Sequence, residues 1–326
     1  MNESLEKQQS SPERLPYPRI IQRDVPSLEA AAFILKGEPV EDEEAFFMAA
    51  LVAEYPGREK EILKQLQKYK PHIKDPSALI QDIVQKIQST EMKASLERAN
   101  IDAETIRTRI ANLIDYFRPN VSTSRIEQVV LVPAERILTR PDSGMSFRIG
   151  NEILIVSPAN NLDNLDHEFL HGLINPIVEK IYANLSEKQR QRICTLANEG
   201  LKADYGNLPF SLLCEELIRT YNDVVKRGEE PLSLESFRSK VSELNENTFR
   251  TEMAIHQDFR NRMQFLGIDS VDSLKRKAEE YYNRYVKNEL RSQISRLYQA
   301  YEAECAETTR VNFEEFLAKN IQHLLE

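Results

Sequence analysis

Thiols are scarce in this 326-residue chain, and the three present are not spaced as pairs. Cys194, Cys214 and Cys305 form an odd, scattered set with no CxxC step. This argues against a disulfide framework or a thiolate zinc site and suits free thiols in a reducing compartment. No apolar run approaches the length of a membrane span. The N-terminal stretch MNESLEKQQSSPERLPYPR has no apolar signal core. A cytoplasmic location is therefore expected, unless a leader was removed ahead of residue 1. Positive charge is in deficit: 43 Lys and Arg against 52 Asp and Glu give a formal net charge of −9. That argues against a general nucleic-acid surface. No internal repeat is visible. Histidine is rare too, with five residues in the chain.

What is there suits a globular protein: 41% apolar and 29% charged residues. The length allows a sizeable core in one large or two smaller domains. Residues 1–26 are polar and carry four prolines, which predicts a flexible arm. Helical periodicity follows through 27–119, in stretches near 27–35, 41–55, 58–69, from Asp75-Pro76 onward, and 102–117. Their aliphatic and aromatic stripes read as core. His72 falls in a proline-flanked turn and reads as a surface residue.

The period changes after Pro119. Gln128–Val132, Met145–Ile149 and Glu152–Val156 read as strands, with a turn signal at Gly150-Asn151. They come just ahead of the most informative segment, Asp166-His167-Glu168-Phe169-Leu170-His171-Gly172. On a helix, His167 and His171 share a face and can aim two imidazoles at one point. Zinc accepts neutral imidazole at about 2.0–2.1 Å and prefers four ligands. Glu168 lies on the same turn and can take the proton of a water held there, delivering hydroxide to a carbonyl carbon. With so few histidines, a chance match is expected in roughly one such chain in a few hundred. Asn160 or Asn161 can cap this helix, and Asp163 and Asp166 suit its first turns. Pro176 predicts a metal helix over about 162–174, a bend, and a second segment over 177–184.

Beyond it, Ser186 opens a helix with a capping-box match to Gln189. Pro209 starts another that is expected to run to about Lys226. One long helix is predicted over Val271 to about Glu304, and a last one over Asn312 to Leu325. A catalytic zinc needs a third protein ligand. His256 and His323 are isolated in helical segments and read as surface or core residues. The acid pair Glu215-Glu216 is the better source, because an antiparallel return of its helix could face a carboxylate toward the histidines.

At these residues the chain resembles the gluzincins, the thermolysin-like zinc metallopeptidases, in which a Glu from a later helix joins a His-Glu-x-x-His helix. It is closer to a group of uncharacterised bacterial zincins with His-Glu-Phe-x-His, Asn-Pro soon after, and a later Glu-x-x-x-Arg. Here the matching residues are His167 to His171, Asn175-Pro176, and Glu215 to Arg219. The resemblance covers about 128–225. It implies that His167, His171 and Glu215 hold Zn2+, with Glu216 as the fallback ligand, and that Glu168 is the general base. It gives Arg219 a role behind Glu215 or at an oxyanion, beside the plainer reading of an intrahelical pair. Tyr221 could donate to a tetrahedral intermediate, or simply pack in the core stripe. It also implies that the Glu152–Val156 strand is an edge that pairs with peptide substrate; the plainer reading is a core strand.

The expected fold is mainly α with a small β-sheet, an α+β arrangement. A zincin-like core over 120–230 follows the helical region 27–119 and precedes a helical region over 231–326. The expected function is hydrolysis of peptide or protein substrates by a zinc metallopeptidase. The alternatives are an inactive metal-binding module acting as a helical interaction protein, and a helical protein without metal.

Overall fold

The computed structural model describes residues 17–37, 40, 42–90, 102–118, 125–133, 137–138, 144–158, 161–307 and 311–325. The fold is mainly helical with one small four-stranded sheet. No helix among the described residues is long and apolar enough to cross a membrane. The chain divides into two compact units. Of the described residues, the first takes in those up to Lys180 together with 311–316, and the second 181–307 with 317–325.

The sheet belongs to the first unit. Its strands are β1 (Arg19–Gln22), β2 (Gln128–Pro133), β3 (Met145–Ile149) and β4 (Glu152–Ser157), in the order β1-β2-β4-β3. β1 and β4 each run parallel to β2, while β3 pairs antiparallel with β4. Gly150, with φ of 60° in the left-handed region, makes the tight β3–β4 turn. Two expectations change here. The stretch read as a flexible arm contains β1, whose Ile20 and Ile21 suit a pleated surface and pair with Val129 and Val130. Residues 1–16 of that stretch lie outside the described residues. β4 is not an edge: β2 and β3 flank it, and five of its six residues are buried. Among the described residues the free edges belong to β1 and β3.

Four helices cover one face of this sheet: α1 (Pro26–Gly37), α2 (Glu43–Glu54), α3 (Glu59–Tyr69) and α4 (Pro76–Gln88). Leu28, Phe47, Leu51, Leu66 and Ile83 join Val130, Val132, Phe147, Leu154 and Val156 in one core. Next come α5 (Ala103–Phe117) and α6 (Leu162–Ala183). α6 lies against the opposite face, where Gly172 abuts Ile153 of β4. A methyl at Gly172 would stand 2.3 Å from Ile153 Cδ1, so the absent side chain sets the closeness of helix and sheet.

The division into two segments expected at Pro176 is absent. α6 runs unbroken for 22 residues with Pro176 inside it. Proline removes the hydrogen bond to the carbonyl four residues back, that of Gly172. The carbonyl is instead met from the sheet: Arg148 Nη1 of β3 donates to Gly172 O at 2.9 Å.

The second unit is helical throughout its described residues. α7 (Glu187–Leu196) carries the expected capping box between Ser186 and Gln189, and α8 (Glu199–Tyr205) follows. α9 (Pro209–Thr220) opens on its proline and passes into a π-turn over Tyr221–Lys226, where a continuous α-helix was expected. α10 (Leu234–Glu243), α11 (Glu246–Ile255) and α12 (Gln257–Phe265) surround a second core around Phe249, Met263 and Leu274. The long helix expected over 271–304 is broken into α13 (Val271–Arg276), α14 (Ala278–Tyr281), a π-turn over Tyr282–Val286, and α15 (Glu289–Glu307). Lys287 is extended, and the Asn288 side chain caps the restart by accepting from Arg291 N. α16 (Phe313–Leu325) closes the described chain.

Candidate metal centre

The histidine pair is set by α6 alone. Four residues apart on one face, the two rings stand 4.9 Å apart between centroids, and their Nε2 atoms are 3.2 Å apart. Two nitrogens on one tetrahedral zinc, at about 2.0–2.1 Å each, stand about 3.3–3.4 Å from one another. The pair already has the spacing of two ligands on one ion. His171 Nδ1 lies 3.4 Å from Asn175 Oδ1, one turn further along the helix. Phe169, Leu170, Leu173 and Ile174 are fully buried on the other faces and hold the turn in the core.

Glu168, on the same turn, is 6% exposed. Gly144, just ahead of β3, backs onto it: an added Cβ there would lie 2.9 Å from both Glu168 Cγ and Oε1, and 2.6 Å from Asn164 Nδ2. The first turns of α6 are fixed by charge. Asn161 accepts from Asn164 N as a cap, while the other candidate, Asn160, lies outside the described residues. Arg109 of α5 donates through Nε and Nη2 to the two carboxylate oxygens of Asp166, at 3.0 and 2.6 Å, and through Nη2 to Asp163 at 2.9 Å. Asp166 is 2% exposed, while the Arg109 side chain keeps 26% of its surface in solvent. Hydrogen bonding to Asp166 holds the Arg109 proton more tightly than usual.

The acid pair of α9 lies in the second unit, and its two members have different surroundings. Glu216 is fully buried. Arg291 Nε reaches its Oε1 at 2.5 Å, Asn288 Nδ2 its Oε2 at 2.8 Å, and Thr220 Oγ1 its Oε1 at 3.4 Å. Both oxygens are engaged in tying α9 to α15. Glu215, 5% exposed, is flanked instead by Arg219, whose Nε lies 3.4 Å from Oε2. Arg219 also donates to Tyr205 OH at 3.2 Å and faces Asp204 at 3.8 Å. Burial works against the Arg219 charge, but Tyr205, Glu215, Glu216 and Asp204 outweigh it and hold the guanidinium firmly protonated. Burial and the Glu215 charge push the Tyr205 hydroxyl far above the usual tyrosine range, so it stays a neutral donor.

No protein-family model, curated protein or solved structure matches the chain.

Two other histidines have carboxylate neighbours of their own. His72 is half-exposed beside Asp42 at 3.0 Å, and His256 is exposed beside Glu252 one turn back on its helix, at 3.5 Å. Tyr221 is buried against Tyr298, as the packing reading expected. Four residues near the expected ligands or base escaped the sequence reading: Arg109, Gly144, Arg148 and Tyr205. No local pattern marks them, because each meets its partner across a long stretch of chain or a change of element.

Proposed function

We propose that the chain is a zinc-dependent metallopeptidase of the gluzincin type, in which His167, His171 and Glu215 hold one zinc ion. The observation that carries the reading is the pair of Nε2 atoms 3.2 Å apart on the turn that also bears Glu168. The engagement of both Glu216 oxygens favours Glu215 as the third ligand. A zinc ion bound there supplies Lewis-acid polarisation and an acidified water. Glu168 takes the proton of the attacking water on its carboxylate and passes it to the leaving amine. Arg219 and Tyr205 orient Glu215. The substrate is a peptide segment that adds in extended form to the free edge of β3, taking main-chain hydrogen bonds with little sequence selectivity. Gly144, at the head of that strand, keeps the edge close to Glu168. The three thiols, none of them in a disulfide, suit a cytoplasmic setting.

The test has two arms. Elemental analysis after zinc reconstitution should give about one zinc per wild-type chain and far less in His171→Ala. On a mixed peptide library, wild-type cleavage should be abolished by a chelator and restored by zinc. Glu168→Gln should keep the metal and lose about 10²–10⁴-fold in rate, since an amide cannot accept the proton. Equal, near-zero zinc in both proteins, or full activity in Glu168→Gln, would overturn the reading.

A further inference from the structure

Strand β3 touches the ligand turn of α6 at two places. Gly144, at its head, meets the Glu168 side chain, and Arg148, near its far end, donates to Gly172 O. Gly172 O is the carbonyl whose regular helical donor, four residues on, Pro176 removes. Arg148 is also the cross-strand partner of Ile153, and Ile153 is the side chain packed on Gly172. One register pair of the β3–β4 hairpin therefore meets the helix at a single residue, the one after His171.

The Arg148 guanidinium is spent on main-chain carbonyls. Nη1 donates to Gly172 O at 2.9 Å, and the longer contacts go to Gly150 O and Arg125 O, both at 3.4 Å. Burial draws its pKa below the ordinary arginine value, against the charges of Tyr69 and Glu61. A buried cation bonded to carbonyls is a costly substitute for a backbone N–H. It is a fixed one, because the charge-assisted bond is stronger than the amide bond it replaces.

We propose that Arg148 is a positioning residue for the metal turn: it replaces the backbone donor missing at Gly172 O, so the tilt of the turn carrying His167, Glu168 and His171 is set from strand β3 rather than by the helix's own ladder. The consequence for zinc rests on the metallopeptidase reading; the bond itself belongs to the fold of the first unit.

The arrangement makes a specific demand. Pro176→Ala returns an N–H to position 176, which can bond Gly172 O directly, so Arg148 becomes dispensable there. The test is a double-mutant cycle of Arg148→Met and Pro176→Ala in the full chain, read by urea unfolding. With Pro176 in place, Arg148→Met should raise the unfolding constant roughly 10- to 100-fold, the worth of a hydrogen bond to a charged group. In the Pro176→Ala background the same substitution should cost at least about tenfold less. The contacts to Gly150 O and Arg125 O are lost in both backgrounds and cancel. Should Arg148→Met not fold, Arg148→Lys, which keeps the charge and one donor, takes its place with a smaller effect of the same sign. Amide exchange gives a second reading: the new N–H at position 176 should be better protected in the double variant than in Pro176→Ala alone.

The metal arm uses cobalt(II) in place of zinc. Its absorption spectrum should change in Arg148→Met and return in the double variant, a rescue that a merely structural role would not produce. Equal unfolding costs in the two backgrounds would overturn the proposal. A coupled cycle with an unchanged cobalt spectrum would overturn the positioning role. A coupled cycle with no cobalt bound by any of the proteins would sink the metallopeptidase reading and leave the bond from Arg148 to Gly172 standing.

Discussion

The two units hold their chemically expressive residues by different means. In the first, His167 and His171 are aligned by the pitch of one helix, which is seated by a glycine against Ile153 and by Arg148 on the Gly172 carbonyl, with Arg109 on Asp166 and Asp163 at its start. In the second, Glu216 and Glu215 are held by charge: Arg291 and Asn288 on one, Arg219 and its neighbour Tyr205 beside the other. Helix pitch and close packing are tolerant devices, because their errors are spread over many contacts. A buried carboxylate is not tolerant. Once its partner is gone, the whole desolvation cost of the charge is felt.

The strongest way to break that contrast is at Arg291. Arg291→Met leaves Glu216 charged and fully buried without its cation, and should destabilise by about 3–5 kcal/mol. Urea unfolding reads it. A Glu216→Leu/Arg291→Met double variant should recover much of the loss, since well-packed apolar residues often replace a buried ion pair at little net change. An additive double variant would show that the pair is not a unit.

A smaller effect is expected at Arg219→Met. With Glu215 as the proposed zinc ligand, removing the partner behind it should weaken metal binding about 10- to 100-fold. Competition with a zinc chelator measures it, while circular dichroism checks that the fold is kept. Unchanged zinc affinity would place Arg219 in an ordinary intrahelical pair.

The mildest test is in the first unit. Gly172→Ala drives a Cβ to 2.3 Å from Ile153 Cδ1 and 2.8 Å from Cγ1, in a fully buried spot. Overpacking costs about 1–3 kcal/mol, and better helix propensity returns about 1 kcal/mol. A net loss of about 1 kcal/mol is expected in thermal or urea unfolding. Adding Ile153→Val, which removes Cδ1, should relieve most of it.

The same contrast explains what could be read from the chain. The histidine pair is legible because four-residue spacing on a helix is a local rule, and the three strands 128–132, 145–149 and 152–156 are legible because β-branched runs and a glycine turn are local too. The order of those strands is not local. β4 takes a central place because β2, earlier in the sequence, pairs along the side that β3 leaves open, and β2 is interior only because β1, farther back still, adds beyond it. Pro176 does cost the helix a backbone bond, as its sequence position implies, but the rescue depends on Arg148, 24 residues from Gly172. The broken helix after Val271 hides in plain periodicity, since Asn288 caps a restart without disturbing the apolar stripe. Arg109 and Tyr205 carry no motif, and only the folded chain shows what they face.

β1 has a consequence for the life of the chain before it is folded. Its four residues seal one side of β2, whose Val129, Val130, Leu131 and Val132 are all buried. The β1 partners of Val129, Val130 and Leu131 lie roughly 100 residues earlier, so that closure is slow compared with the hairpin of β3 and β4. Until it happens, β2 offers an unpaired, valine-rich ladder of the kind that recruits other chains. The short β1, which begins on Arg19 and is followed by Arg23, is poorly suited to recruit a strand itself. A chain shortened past Gln22 should therefore be recovered mainly as insoluble material.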